Sequence, residues 1–377
     1  MQVFSQISKR FSHKIPRNPQ KAPPSGPGRP QEGRPFSHTR PAAPHTVYKD
    51  ASSDMETMTL DQIRQLFEFI GGLGMFLYGM KVMSDSLAQT AGRRMKQTLA
   101  LVAGNRLSGI LFGTLLTALI QSSSAATVMV VGFVDAGLLS LSQSVGLIMG
   151  ANIGTTVTAW MVSMSEWGEA LKPEFFAPVL LGIGAFLLLL TKRERLRVAG
   201  NVLVGFGLLF VGLGFLSGAV LPYRDSPIFT KLFVVLGKTP LFAILTGMTV
   251  TAMIQSSSAS VGILQTLAMN GAVATDCAVY LTLGQNIGTC VTALLAAAGT
   301  GRTARQAALT HLLFNVAGTA CFGVLMFLLF QMDPALAEAP VSATRISVFH
   351  TVFNLGTTLL LFPFSEKLVI LAKRLIR

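Results

Sequence analysis

The pentapeptide Gln-Ser-Ser-Ser-Ala occurs twice in this chain, at residues 121–125 and 255–259, each time inside a long apolar stretch. Counted from its glutamine, each copy is followed 31 residues later by Asn-Ile-Gly-Thr, which begins at Asn152 and at Asn286. The two copies are offset by 134 residues without a gap. Such spacing indicates a duplicated structural unit. Hydroxyl and amide groups in apolar surroundings are costly unless a partner satisfies them, so the repeat also marks a candidate site.

The composition predicts an integral membrane protein whose surroundings are the lipid bilayer. The 377 residues are 51% hydrophobic and only 12% charged, and several windows are long enough to cross a hydrocarbon core of roughly 30 Å. The net charge of +13 does not indicate nucleic-acid binding, because no basic stripe is interleaved with aromatic residues. Cys277, Cys290 and Cys321 lie in apolar segments and predict neither a disulfide framework nor a metal site. No nucleotide loop or nucleophile–base set occurs, so no enzyme is expected.

The chain divides into a leader, two repeats and a terminal segment. The leader is rich in proline and lacks apolar periodicity, which predicts disorder. We expect the working protein to start at Met55 or Met58, because a basic leader contradicts the topology derived below. The predicted boundaries are 1–60 for the leader, 61–197 for the first repeat, 198–330 for the second, inverted repeat, and 331–377 for a final membrane helix with a basic cytoplasmic tail.

The expected fold class is all-α integral membrane, with inverted structural repeats that each contain a re-entrant helical hairpin and a broken helix. The hairpins are predicted at 107–138 and 241–271, because the serine motif splits each into halves of about 13 to 16 residues, too short to span. Broken helices are predicted at 141–164 and 278–298, each interrupted at its Asn-Ile-Gly-Thr motif.

The charges of the short loops predict the topology. Basic loops tend to stay in the cytoplasm. A hairpin that enters and leaves on one side adds no crossing, so each repeat has three crossings and the second repeat must be inverted. We therefore expect seven crossings, with the N-terminus outside and the C-terminus in the cytoplasm. The basic segments are 91–106, 192–197, 299–305 and the C-terminus, and the acidic or mixed ones are 165–174, 222–238 and 331–345.

The half-helix after each serine turn should present free N–H groups and the positive end of its dipole. Two such ends facing one cavity suit an anion, and serine hydroxyls can rotate to fit tetrahedral oxygens. Helix carbonyls with Thr and Asn oxygens suit a small hard cation such as sodium. Inverted repeats with discontinuous helices are typical of secondary transporters. The alternative is that Ser and Gly here only allow close helix packing.

With the pairs His311–Asn315 and His350–Asn354, which share the pattern His-x-x-Phe-Asn, these motifs resemble the sodium/phosphate cotransporter family, type II and its bacterial relatives. The resemblance covers about residues 66–366. It implies sodium-coupled symport of inorganic phosphate in a bacterial inner membrane, with Na⁺ as coupling ion and no other cofactor or metal.

The residues to which the resemblance assigns a role fall into two groups. The implied phosphate-binding residues are Ser122, Ser123, Ser124, Ser256, Ser257 and Ser258. The implied sodium-binding residues are Gln121, Gln255, Asn152, Thr155, Thr156, Asn286 and Thr289. One difference separates the repeats, because Cys290 stands where the first repeat has Thr156.

Other functions stay open at this point. The chain could transport a related anion, export phosphate, or bind phosphate as a sensor or scaffold without moving it. Asp135 could be a functional carboxylate or a cap at the membrane interface. Asp276 is expected to cap a helix N-terminus. His311 and His350 could relay protons, but their spacing to Asn315 and Asn354 favours hydrogen bonds between helices.

Overall fold

The computed structural model describes residues 51–102, 105–168, 172–223 and 226–377, and structural statements concern these residues. Most of the predicted leader, residues 1–50, lies outside them. The described chain is already helical at Ala51, ahead of the predicted boundary at residue 60. The described part is helical throughout and contains no β-strand beyond an isolated bridge between Ala274 and Pro340. The predicted all-α class is confirmed.

The helices follow one another with short connections. The first half of the described chain forms α1 (Ala51–Val102), α2 (Arg106–Ile120), α3 (Ser123–Asp135), α4 (Leu141–Ser163), α5 (Pro173–Leu190) and α6 (Glu194–Val220). The second half forms α7 (Pro227–Lys238), α8 (Pro240–Ile254), α9 (Ser257–Met269), α10 (Thr275–Ala297), α11 (Arg302–Met332), α12 (Pro334–Glu338), α13 (Ala343–Leu361) and α14 (Ser365–Leu375).

Seven helical segments of the described chain are long and apolar enough to cross a membrane, which agrees with the predicted number of crossings. A count of eight results if α7 and α8, which meet at an angle of 111°, are taken as one bent span. The seven segments are Leu60–Gln89, Leu141–Glu166, Pro173–Leu190, Glu194–Tyr223, Thr275–Ala297, Arg302–Met332 and Ala343–Leu375.

The two predicted hairpins are present as pairs of short helices. In the first, α2 has 15 residues and α3 has 13; in the second, α8 has 15 and α9 has 13. At 1.5 Å per residue neither arm reaches across the hydrocarbon core. The break in each pair falls at the serine motif, as the sequence predicts.

The prediction of broken helices at the Asn-Ile-Gly-Thr motifs is wrong. Both α4 and α10 run as uninterrupted helices of 23 residues through these motifs. The glycines serve packing instead. A Cβ on Gly154 would lie 2.5 Å from the carbonyl oxygen of Thr114, and one on Gly288 would lie 2.5 Å from that of Met248. A true break would leave backbone groups unsatisfied in apolar surroundings, whereas a continuous helix satisfies them all.

The same packing recurs in both halves of the chain. Arm α2 lies along α4, and arm α8 lies along α10, with backbone against backbone at the glycines. The contacts match residue for residue at the repeat offset, since Gly113 meets Leu147 as Gly247 meets Leu281. Glycine costs about 1 kcal/mol in a helix, and close approach of two helices offsets this cost. The duplication seen in the sequence is therefore also a duplication of packing.

Helices α1 and α6, which begin the two repeats, pack on each other through four glycines. A Cβ on Gly79 would lie 2.6 Å from the carbonyl oxygen of Gly205, and one on Gly212 would lie 2.6 Å from that of Gly72. The residue numbers run in opposite directions along this contact, so α1 and α6 are antiparallel.

Two elements differ from the sequence expectations. The segment 222–238, expected to be a loop, contains the helix α7. The basic tail after residue 366 forms most of the helix α14, which packs against α11 and α4. Both are short and carry charged residues, so average hydropathy does not distinguish them from loops.

Replacing Gly79 by Leu should weaken the contact between α1 and α6, because the side chain would meet the backbone of Gly205 and Leu209. Overpacking of this kind costs roughly 1–3 kcal/mol. The measurement is the temperature at which half of the detergent-solubilised protein is lost from the monodisperse peak after heating. The matched control is Gly74→Leu on the same helix, where a Cβ has nothing within 4 Å. Equal losses in both variants would contradict this account of the glycines.

Candidate functional site

Each hairpin turns at a glutamine in the left-handed backbone region. Gln121 has φ 59° and Gln255 has φ 56°, and they are the non-glycine residues with positive φ in the described part of the chain. This conformation costs a residue with a side chain on the order of 1 kcal/mol, and glycine would adopt it freely. Such strain tends to persist where function requires the side chain. The carboxamides at both turns are therefore the first candidates for a role beyond structure.

The first serine of each motif caps the second arm of its hairpin. The Ser122 Oγ accepts a hydrogen bond from the Ala125 N–H, and the Ser256 Oγ accepts one from the Ala259 N–H, both at 3.2 Å. Both caps have extended backbone, as an N-cap requires. These hydroxyls satisfy one helix N–H each and keep their own proton free to donate.

The second serines bring the two tips together. The Oγ atoms of Ser123 and Ser257 lie 3.3 Å apart, and the two residues are 2% and 3% exposed. They occupy the same position in the two repeats and are the first residues of α3 and α9. The N-termini of these helices therefore meet inside the protein.

The third serines complete the contact between the tips. The Ser124 hydroxyl donates to the carbonyl oxygen of Gln255 at 3.4 Å, and the Ser258 hydroxyl donates to the Thr158 Oγ1 at 3.3 Å. Each third serine thus contacts a residue of the other repeat. All six predicted phosphate-binding serines lie at this junction.

The meeting point is electropositive without a charged side chain. The first turns of α3 and α9 leave the amide N–H groups of Ser123, Ser124, Ser257 and Ser258 without a protein acceptor among the described residues. Free N–H groups and two positive dipole ends at one place suit an anion. The hydroxyls add donors that can turn toward tetrahedral oxygens.

The two glutamines differ in their partners. The Gln121 Nε2 donates to the Ala118 carbonyl, and the Gln121 Oε1 accepts from the Thr158 hydroxyl at 2.8 Å. The Gln255 side chain is exposed and has no hydrogen-bond partner within the described chain. The equivalent of Thr158 in the second repeat is Thr292, whose buried Oγ1 also lacks a partner there. The glutamine and threonine therefore form a hydrogen bond in the first repeat, whereas the equivalent Gln255 and Thr292 do not.

Thr158 is a site residue that the sequence analysis missed. It touches both Gln121 and Ser258 and so joins the two hairpins. The signal that could have found it is the repeat itself, because Thr158 and Thr292 both stand six residues after the asparagine of the Asn-Ile-Gly-Thr motif.

The asparagines predicted to bind sodium lie in a second, buried polar cluster. The Asn152 and Asn286 Nδ2 atoms both donate to the Asn315 Oδ1, at 3.4 and 3.3 Å. The Asn286 Nδ2 also donates to the Asn354 Oδ1 at 2.7 Å. Among the described residues, no hydrogen bond connects these asparagines directly to the serine tips.

The histidines belong to the same cluster. The His311 ring nitrogen lies 3.4 Å from the Asn152 Oδ1, and the His350 ring nitrogen lies 3.1 Å from the Asn286 Oδ1. These are hydrogen bonds between helices, which confirms the favoured interpretation of both histidines. Each repeat contributes one asparagine that pairs with one histidine of α11 or α13.

The threonines predicted to bind sodium donate to their own helices. The Thr155 and Thr289 hydroxyls bond to carbonyls four residues earlier, and the Thr156 hydroxyl bonds to the Ile153 carbonyl. Their oxygen lone pairs remain available to a cation. Cys290, at the position of Thr156, also donates to its own helix, with its Sγ 3.7 Å from the Asn286 carbonyl oxygen, and in addition accepts a hydrogen bond from the Asn315 Nδ2 at 3.3 Å. The two repeats therefore differ here in contacts as well as in residue type.

The two carboxylates singled out in the sequence are helix-terminal groups. The Asp135 Oδ1 accepts from the Gly301 N–H at 2.7 Å, which caps α11 rather than its own helix. Asp276 lies in the first turn of α10, where its Oδ1 accepts from the Cys277 N–H at 2.6 Å. Both observations favour a structural role over participation in the site.

A helical membrane protein with two short hairpins whose polar tips meet in its interior has the architecture of a membrane transporter. Its repeated packing and neutral, donor-rich junction agree with that class. The chain belongs to the Na⁺/Pi-cotransporter family, whose model matches residues 75–218 and 226–339. The family resemblance drawn from the motifs is thus confirmed. The family is one of transporters, in agreement with the expectation that the chain is not an enzyme.

Similar proteins occur in bacteria and animals. The uncharacterized protein YqeW of Bacillus subtilis is 34% identical over 301 residues, which cover 80% of this chain and 95% of YqeW. The "Putative inorganic phosphate export protein YjbB" of Escherichia coli K12 is 26% identical over 313 residues, 83% of this chain and 56% of that protein. This chain therefore matches little more than half the length of YjbB.

Animal relatives match over a shorter segment. Human sodium-dependent phosphate transport protein 2B is 33% identical over 109 residues, which are 28% of this chain and 16% of that protein. No solved structure matches the chain significantly.

The unequal glutamines predict unequal effects of glycine on stability. Gln255→Gly should preserve or raise the melting temperature, because it removes left-handed strain of roughly 1 kcal/mol and breaks no side-chain bond. Gln121→Gly is relieved of the same strain but loses the side-chain hydrogen bonds to Thr158 and Ala118, so its melting temperature should be lower than that of Gln255→Gly. Thermal unfolding of the two detergent-solubilised variants, each beside the wild type, makes the comparison. Identical shifts in both would show that the Gln121–Thr158 bond contributes nothing.

Proposed function

We propose that this protein carries inorganic phosphate across the membrane together with sodium, by alternating access around the two hairpin tips. One observation carries the proposal most directly. Two helix N-termini meet with four free amide N–H groups and serine hydroxyls, in a place without a charged side chain. A tetrahedral oxyanion matches this set of donors. The names of the YjbB and type 2B relatives support phosphate as that anion.

Neutral oxygens around the tips support sodium as the partner ion. The carboxamide oxygens of Gln121 and Gln255, the threonine hydroxyls and the helix carbonyls are hard donors. Donors without charge hold phosphate weakly, so a cation bound beside it would raise the affinity. Asn152 and Asn286 would take part through their polar cluster with the histidines. Coupling then follows, because each ion binds more tightly when the other is present.

The antiparallel contact of α1 and α6 supports the inverted relation of the repeats. In the sequence repeat Gly72 corresponds to Gly205 and Gly79 corresponds to Gly212. In the structure the pairs are exchanged, because Gly72 contacts Gly212 and Gly79 contacts Gly205. Such crosswise contact is expected of two units related by a twofold axis. With the basic loops inside, the proposed topology has the N-terminus outside and the C-terminus in the cytoplasm of a bacterial inner membrane.

Export of phosphate is the second candidate, and the name of the YjbB relative favours it. The same site serves both directions, because the gradients set the direction of flux. Import and export can be distinguished by expressing the protein in cells that lack their own phosphate uptake systems. Expression of this protein should raise internal phosphate if it imports, and should lower it if it exports.

Purified protein in proteoliposomes should accumulate radiolabelled phosphate when an inward sodium gradient is imposed. An equal potassium gradient should give only background uptake, because the proposed site couples phosphate to sodium. Membrane potential is clamped in both arms, and empty liposomes give the background. Equal phosphate uptake with the sodium and the potassium gradient would contradict the proposed coupling to sodium. Binding of phosphate without its accumulation would identify a sensor instead of a transporter.

Removing either central hydroxyl should weaken phosphate binding. A hydrogen bond to a charged group is worth about 1.5–3 kcal/mol, so Ser123→Ala and Ser257→Ala should each raise the phosphate KM roughly 10- to 100-fold. The control is Thr249→Val on α8, whose exposed hydroxyl bonds only to the Leu245 carbonyl of its own helix. Wild-type KM in both serine variants would show that these hydroxyls are not ligands.

A further inference from the structure

Helix α14 begins where the last membrane helix ends. It follows α13 after the short turn Phe362–Phe364. The 19 residues of α13 are about 28 Å long, close to the thickness of the hydrocarbon core. The first residues of α14 therefore lie at the depth of the lipid headgroups.

The inner face of α14 is fixed to the protein. Ser365, Val369 and Ala372 are buried against the bundle. The Arg106 guanidinium donates to the Ser365 hydroxyl at 3.0 Å and forms an ion pair with Glu366. At the other end, the Gln306 Nε2 donates to the Ile376 carbonyl at 2.8 Å. The helix is thus held against the starts of α2 and α11.

The outer face of α14 combines apolar and basic side chains. Leu371 and Leu375 are 42% and 61% exposed. Lys367 and Arg374 are exposed on the same outer surface. Apolar side chains beside cations with long aliphatic stems are typical of helices at a membrane interface.

The charges around α14 are unbalanced. The carboxylate of Glu366, the acid within α14, is already paired with Arg106. The exposed cations of α14 and of the start of α11 have no carboxylate partner among the described residues. These are Arg302, Arg305, Lys367, Lys373 and Arg374.

We propose that α14 and the start of α11 form a binding surface for the headgroups of anionic phospholipids. The occupant is a lipid because the surface continues a membrane helix and carries exposed leucines that a soluble anion does not contact. It is anionic because each Lys or Arg near a negatively charged leaflet adds to the attraction. This surface lies apart from the serine tips and does not depend on the proposed transport.

The test compares lipid binding by the complete, detergent-solubilised protein and its variants. Native mass spectrometry counts retained lipids during titration with phosphatidylglycerol or phosphatidylcholine, and thermal unfolding is followed in parallel. The wild type should retain phosphatidylglycerol preferentially and unfold several degrees higher in its presence. The triple variant Lys367→Gln, Lys373→Gln, Arg374→Gln should bind it roughly 100-fold more weakly.

The matched control removes the same charge between the end of α5 and the first turn of α6, as Lys192→Gln, Arg193→Gln, Arg195→Gln. It should keep the preference for phosphatidylglycerol. Equal loss in both triple variants would overturn the site, since it would show a general charge effect. A wild-type preference retained in the α14 variant would also overturn it.

Two further arms keep the test decisive. Any thermal shift that inorganic phosphate causes should be equal in the wild type and the α14 triple variant, because the serine tips are the same in both. A phosphate-induced shift that is lost in the triple variant would assign the surface to a free anion instead of a lipid. Should the triple variant not remain monodisperse, Arg374→Gln alone replaces it, because this side chain points away from the bundle. Unchanged binding in Arg374→Gln would then count against the proposal.

Discussion

A helix that ends in the apolar interior of a protein leaves backbone N–H and C=O groups without partners, and this protein ends helices there at its two serine motifs. The rest of the structure depends on how that cost is met. The left-handed glutamines return their N–H groups to the preceding arm, and Ser122 and Ser256 cap the following one. Glycine-lined contacts then hold each hairpin against a continuous helix, so the turns stay inside the protein. The N–H groups of Ser123, Ser124, Ser257 and Ser258 then remain at the tips without a protein acceptor among the described residues.

The carboxylates near the helix ends act as structural groups, which keeps the centre neutral. Asp135 caps α11 from a neighbouring helix, and Glu166 accepts the N–H groups of Ala343 and Thr344 at the start of α13. Glu366 pairs with Arg106 at the start of α2. Polar groups deeper in the bundle are amides, hydroxyls and the two histidines. An anion at the serine tips therefore meets donors without a competing carboxylate.

Much of the fold could be predicted from the sequence, because hydropathy indicates the membrane spans and the repeat indicates the hairpins. The seven spans, the two hairpins and the breaks at Gln121 and Gln255 follow from spacing and length. The Asn-Ile-Gly-Thr helices were misinterpreted because glycine signals either a break or a close contact, and only the partner helix decides between them. That the serines of the two motifs meet at one junction was predictable from their duplication. The unequal bonding of Gln121 and Gln255 was not, because identical motifs carry no information about which one is engaged.

The glycine contacts between each hairpin arm and its continuous helix also limit how these parts can move. At Gly113 and Gly150 the nearest atoms of the partner helix are backbone atoms, so no interlocking side chains stand between α2 and α4 at those two points. Pulling the arm away would open a void and expose backbone to lipid, whereas a glide along the shared axis keeps the surfaces covered. Sliding of the hairpin arm along the continuous helix is therefore the motion that this packing permits at the lowest cost in free energy. The second repeat has the same contact between α8 and α10.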